Sequence, residues 1–125
     1  MNLLLDTHAL LWWLDDDPRL TARERKAIAD PYGVVFVSAA TAWEIAVKIA
    51  LGKLDAPDRL AEILVENGFR ELPIDFDHAL RAGALPPIHR DPFDRMLTAQ
   101  AQIEDLTIVT HDTNIPRYEV AVLNS

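Results

Sequence analysis

Short, wholly apolar runs that alternate with longer segments of helical period constrain this chain more than any other feature of its sequence. "NLLL" at residues 2–5 ends on Asp6, "GVVFVS" covers residues 33–38, and "LTIVT" at residues 106–110 ends two residues before Asp112. Such runs read as strands buried on both faces, the condition of parallel sheets. Helical patterns separate them. Thr7–Leu14 is closed by "DDDP", and "LTARERKAIAD" has Thr21 as its candidate cap. "AATAWEIAVKIALGKL" stops at Gly52, and "DRLAEILVENG" again ends in glycine, the favoured residue after a last helical turn. "DFDHALRAGAL" has Asp75 as its cap, "PPIHRDP" is a loop, and "FDRMLTAQAQIED" is a further helix. "FRELPI" and "YEVAVLN" add two short strands. Strand–helix alternation throughout predicts an open, mostly parallel sheet with helices on both faces, an α/β/α three-layer sandwich. Right-handed crossovers follow from the same topology.

The chain has 125 residues, half of them hydrophobic, which suits one domain over 1–125 with one core. It contains no cysteine, which excludes a disulfide framework, a thiolate zinc site and a cysteine nucleophile. No run of eighteen apolar residues is present, so no membrane span is expected. The N-terminus lacks a basic leader and a small-residue cleavage site, so no signal peptide is expected and the cytoplasm is the expected location. The net charge of −8 opposes a broad basic surface for nucleic acid. It leaves room for an enzyme of nucleic acid, because clustered acids that bind divalent cations attract phosphate once the cations are in place.

In open parallel sheets the working site lies outside the carboxyl ends of the strands. Asp6 directly follows the first strand, and Asp112 follows "TIV" closely. Glu44 lies early in the helix after "VVFVS", and Asp94 lies in the first turn of the helix after "PPIHRDP". Each acid also has a structural reading. Asp6 can cap the first helix, Glu44 can pair with Lys48 at i,i+4, and Asp112 can hold the "HDTN" turn. Asp91 precedes Pro92, which is favoured at the first helical position, so Asp91 reads as the cap and Asp94 as the candidate ligand. Two carboxylates about 4 Å apart repel by roughly 4 kcal/mol at an effective dielectric near 20. A cluster of them needs bound cations or raised pKa values. Oxygen donors without cysteine suit Mg²⁺ or Mn²⁺, and the chemistry this suits is metal-assisted phosphodiester hydrolysis.

"LLLDTHALLWWL", "AATAWEIAVKIALGKL", "HRDPFDRMLTAQA" and "IVTHDTNI" together resemble the PIN-domain nucleases, specifically the VapC-type toxins of bacterial toxin–antitoxin pairs. The resemblance runs from Met1 nearly to the C-terminus, with the four motifs in order. It implies a PIN-like fold and a Mg²⁺- or Mn²⁺-dependent endoribonuclease. It carries over Asp6, Glu44, Asp94 and Asp112 as the catalytic and metal-binding acids, with Asp6 central and Glu44 a ligand or the orienter of one through water. Thr110 matches a small hydroxyl residue that bonds a ligand or water, and Asp91 is placed to support Asp94. The resemblance further implies an RNA substrate, a homodimer and a cognate antitoxin whose tail fills the active-site groove.

Other residues carry weaker signals. His8 and His111 neighbour the candidate ligands and suit hydrogen bonding or RNA contact better than base catalysis. His89, Arg90, Lys48, Lys53 and Arg95 are candidate phosphate contacts against a reading as solvated surface charge. Trp12 and Trp13 sit on a helix that is apolar nearly all round, which fits core packing or a dimer or antitoxin interface. Trp43 can stack on a base but reads first as core. A receiver-type signalling domain needs paired acids after the first strand and a lysine after a late one, and both are missing. A haloacid-dehalogenase-type phosphatase needs an aspartate where His8 stands. A non-catalytic PIN-fold binding partner is the remaining alternative.

Overall fold

The computed structural model describes residues 1–124. Five strands form one parallel sheet: β1 (Asn2–Leu5), β2 (Val34–Ser38), β3 (Arg70–Leu72), β4 (Thr107–Val109) and β5 (Val122–Leu123), in the order β3-β2-β1-β4-β5. Six helices connect them: α1 (Thr7–Leu14), α2 (Ala22–Ala29), α3 (Ala39–Ala50), α4 (Leu60–Glu66), α5 (Phe76–Ala84) and α6 (Pro92–Glu104). The α/β/α sandwich read from the alternation of the chain is the observed architecture.

β1 is the central strand, and its side chains divide the core. Leu3 and Leu5 pack on one face with Val35, Val37 and Val109, under Leu10, Ile28, Ile45 and Leu64 from α1 to α4. Leu4 packs on the other face with Ile108, under Leu97 and Ala101 of α6. All three leucines are fully buried, as a strand covered on both sides requires. The alternation of faces is the two-residue period of a strand.

Local chemistry fixes the ends of the elements. Thr21 and Glu24 form a reciprocal capping box at the start of α2. α3 runs to Ala50, and Gly52 beyond it takes φ +69°, the left-handed region that glycine enters without a Cβ clash. At Gly33, a Cβ would lie 2.6 Å from the carbonyl oxygen of Met1, so only glycine lets the start of β2 pass beside the start of β1.

Two elements are shorter than expected. "FRELPI" yields only Arg70–Leu72 as strand. "YEVAVLN" yields only Val122–Leu123 as strand, preceded by a 3-10 turn at Ile115–Arg117. Tyr118 is drawn away from the sheet: its hydroxyl accepts from the His89 N–H at 2.8 Å and donates to the Pro86 carbonyl at 3.0 Å. Among the described residues, no helix is long and apolar enough to cross a membrane.

The strand order matters most for function. β1 and β4 are neighbours, with Leu5 beside Val109, and the Asp6 N–H donates to the Val109 carbonyl at 3.1 Å. Residue 6 and the segment leading to residue 112 therefore leave the sheet side by side.

Candidate active site

Asp6 is the N-cap of α1, with one carboxylate oxygen accepting from the Ala9 N–H at 2.8 Å. It is buried, and the Thr110 hydroxyl bonds its carboxylate. Burial pushes its pKa up. The bonds from Thr110 and Ala9 and the nearby His8 oppose that shift, and Asp112 adds to it. Thr110, also fully buried, accepts the Asp112 N–H at 3.0 Å. One hydroxyl thus links the exits of β1 and β4.

At the mouth of α6, Asp91 is the cap that the sequence predicts. Asp91 caps the helix, its Oδ1 accepting from the N–H groups of Phe93 (2.8 Å) and Asp94 (3.3 Å), with Pro92 in the first helical position. That leaves the Asp94 carboxylate for the cleft, where Oδ2 stands 3.0 Å from His89 Nε2. Asp112 Oδ2 stands 3.1 Å from the same nitrogen. The other oxygen of Asp112 accepts from the N–H groups of Asn114 (2.7 Å) and Ile115 (3.0 Å). For Asp6 and Asp112 the structural and functional readings are therefore compatible: one oxygen holds a cap or turn, and that bond orients the carboxylate.

His89 was read from sequence only as a phosphate contact, yet it bridges two candidate ligands. The Asp91 N–H donates to its Nδ1 at 3.3 Å, so in the neutral ring Nε2 carries the proton that faces Asp94 and Asp112. Nothing in the periodicity of "PPIHRDP" encodes that contact, which depends on the path of the loop.

The electrostatics follow from this crowding. Burial, then Asp91, pushes the Asp94 carboxyl up to about 7, with Asp112 and Asp6 adding and His89 opposing. Burial also pushes Asp112 upward, but the N–H groups of Ile115 and Asn114 and the His89 ring outweigh it, and its carboxyl lies below the ordinary value.

Glu44, on α3, is buried. Its Oε1 accepts from the Thr7 hydroxyl at 2.5 Å and its Oε2 from Lys48 Nζ at 2.5 Å. The i,i+4 pair foreseen from the spacing exists, and Glu44 raises the pKa of Lys48. Asp6, Glu44, Asp91, Asp94 and Asp112 all line one cleft of about 460 Å³. Among the described residues, donor atoms of His89, Asp94 and Asp112 lie within 4.8 Å of one another, a spacing that suits a single ion. Asp6 and Glu44 stand outside that tightest set. A second group, Asp75, His78 and Glu104, has comparable spacing. There the buried His78 takes the Asp75 N–H on Nδ1 and faces Glu104 with Nε2, which is a capping arrangement joining α5 to α6.

Two further expectations change. Arg95 donates to the carbonyls of Ala82, Leu85 and Pro86 and holds the loop before α6, so it is no free phosphate contact. Trp43 is 60% exposed, with its ring 4.9 Å from Phe93, and is not core. Trp12 and Trp13 pack partly buried against the core, and Trp13 Nε1 donates to Asn67.

The family model of the PIN domain matches residues 3–121. The chain belongs to the PIN-domain family. Nuclease activity is typical of that family, and this PIN domain carries an acidic cleft. Its fold is shared with VapBC2 from Rickettsia felis bound to a promoter DNA fragment, at 14% identity and a TM-score of 0.75, covering 100% of this chain and 99% of that one. FitAcB from Neisseria gonorrhoeae shares it at 24% identity and a TM-score of 0.65, over 98% and 96% of the two chains. VapBC-1 from nontypeable Haemophilus influenzae does so at 18% identity and a TM-score of 0.69, over 99% and 98%. No curated protein matches this PIN domain in sequence.

Proposed function

We propose that this PIN domain is a divalent-metal-dependent endoribonuclease and the toxin half of a toxin–antitoxin pair, acting in the cytoplasm. The observation that carries the reading is the meeting of Asp94 and Asp112 on one side of the cleft that buried Asp6 also lines. The donor set fits a hard cation: oxygen donors predominate, and burial and the neighbouring carboxylates push the Asp94 carboxyl up to about 7, a cost that a bound cation offsets. Asp6, Asp94 and Asp112 would hold Mg²⁺ or Mn²⁺, with Glu44 at the edge of the site. When bound, the ion supplies Lewis-acid activation of water and neutralises charge on the phosphodiester.

The chain's own residues do the positioning. Thr110 and the Ala9 N–H fix Asp6. Asp91 caps α6 and sets the direction of Asp94. Thr7 and Lys48 hold Glu44 against the cleft wall.

The toxin assignment is supported by neighbours that are themselves toxin–antitoxin complexes, one from Klebsiella pneumoniae among them. We assign this chain a cognate antitoxin that covers the cleft. A homodimer is supported by an apolar groove lined by Trp43, Ile74, Phe93 and Met96, next to the exposed Phe76 and Leu80. The deciding experiment is RNA cleavage with Mg²⁺ or Mn²⁺ by the wild type and by Asp94→Asn, with 5′ ends mapped. The wild type should cut and the variant should lose about 100-fold or more. Equal cleavage by both would remove the reading.

A further inference from the structure

The cleft is larger than its ion needs. A divalent ion with about six waters fills roughly 180 Å³ at roughly 30 Å³ per water, whereas the cleft measures about 460 Å³. The rest is bounded by a wall of a different kind. The Arg19 guanidinium lies 5.0 Å above the centre of the Trp12 ring. His111 meets the same ring edge-on at 4.9 Å, and His8 lies tilted to it at 5.9 Å.

This wall is held from behind. Glu24 is fully buried, and both its carboxylate oxygens take His111 Nε2 at 2.8 Å. Asp17 takes Arg19 through Nε at 3.2 Å and Nη2 at 2.7 Å. That pair lowers the Asp17 pKa to about 2, so the carboxylate stays ionised at any ordinary pH. Arg19 Nη1 has no partner among the described residues, and two thirds of the side chain is open. Lys48, the other strong cation lining the cleft, is committed to Glu44.

A flat, fixed guanidinium with spare donors, stacked on an indole beside a metal-binding floor, matches one ligand chemistry. We propose that Trp12, Arg19 and His8 form a nucleotide subsite for single-stranded RNA. Arg19 Nη1 donates to a phosphate, and the adjoining base stacks on the open guanidinium face and His8. Arginine planes and aromatic rings stack bases of any identity, so the subsite gives register and affinity with little sequence preference. The inference rests on the ribonuclease reading and extends it to where the strand lies.

The test is binding of 5′-fluorescein-labelled A8 and U8 RNA by the full chain, with Ca²⁺ replacing Mg²⁺, across a range of salt. Arg19→Gln should weaken binding about five- to thirty-fold. It should also lower the slope of log affinity against log salt by about 0.7, the loss of one phosphate contact on a single strand. His8→Ala, at an exposed position, should weaken binding without changing that slope. Arg59→Gln removes the same charge from an exposed site, the N-cap of α4, and should change neither quantity. Because Trp12 packs against the core, its role is read by quenching of tryptophan fluorescence on adding U8 rather than by truncation. A wild type that does not bind RNA, or an Arg19→Gln variant with unchanged affinity and slope, overturns the subsite. The latter result holds even if the variant loses a peptide or antitoxin ligand. If Asp94→Asn abolishes cleavage while Arg19→Gln behaves as wild type, the ribonuclease stands and the subsite alone falls.

Discussion

Asp94 carries a pH signature that can be worked out in advance. Its carboxyl is pushed up to about 7 in the folded chain, against an ordinary 3.8. Between those values the folded state binds more protons than the unfolded one, so metal-free stability falls as pH rises from about 4 to 7. Above 7 the full cost of the ionised, crowded carboxylate is present. Asp112 works the other way: its lowered pKa contributes stability above the ordinary carboxylate range and loses it in strong acid. Thermal melts of metal-free wild type and Asp94→Asn should therefore differ most at pH 8, with the variant the more stable, and converge towards pH 4. Adding Mn²⁺ at pH 8 should raise the wild-type melting temperature and leave the variant nearly unmoved. Parallel melting curves at every pH would show that the crowding at Asp94 is not felt.

The element that decides the site is the first turn of α6. Asp91 has two effects there: it caps the N–H groups of Phe93 and Asp94, and its charge raises the Asp94 pKa. These separate by substitution. Asp91→Ala should cost about 1 kcal/mol through the lost cap. Asp91→Ser keeps a capping oxygen, so chemical denaturation should show a smaller loss. Both variants should lower the Asp94 pKa, readable by NMR titration of the carboxyl carbon. Equal stability loss in the two would mean that the charge of Asp91, not its cap, secures the helix. The same comparison at Thr21 on α2 calibrates it: Thr21→Ala removes the hydroxyl half of a capping box and should cost about 0.5–2 kcal/mol without moving the Asp94 pKa.

At the scale of the molecule, the site exists because β1 lies between β2 and β4, which brings chain-distant acids to one rim. Gly33 guards that arrangement, since any Cβ there strikes the Met1 carbonyl. Gly33→Ala should destabilise the chain by about 1–3 kcal/mol, measured as a lower urea midpoint, because the β1–β2 pair must shift. A midpoint within error of wild type would show that the N-terminus yields freely. Homodimerisation belongs to this scale too. Analytical ultracentrifugation should show a dimer that Trp43→Asp weakens, while an unchanged sedimentation profile would place the interface elsewhere.

Interactions that close within a few residues are written in the sequence. The leucines of β1, the cap at Thr21, the stop at Gly52, the capping role of Asp91 and the Glu44–Lys48 pair were all legible from spacing, because each depends on a period or a local bond. The acids past the strand ends were legible as candidates for the same reason: a parallel sheet has one working edge. Contacts that close through space were not legible. The sheet order that sets Asp6 beside Thr110, and the loop that swings His89 between Asp94 and Asp112, were decided only on folding. So were the carbonyls that capture Arg95, the exposure of Trp43 and the stacking of Arg19 on Trp12. Periodicity carries which face of an element is apolar. It carries nothing about which element that face will meet, and charge placement in the cleft is settled by that meeting.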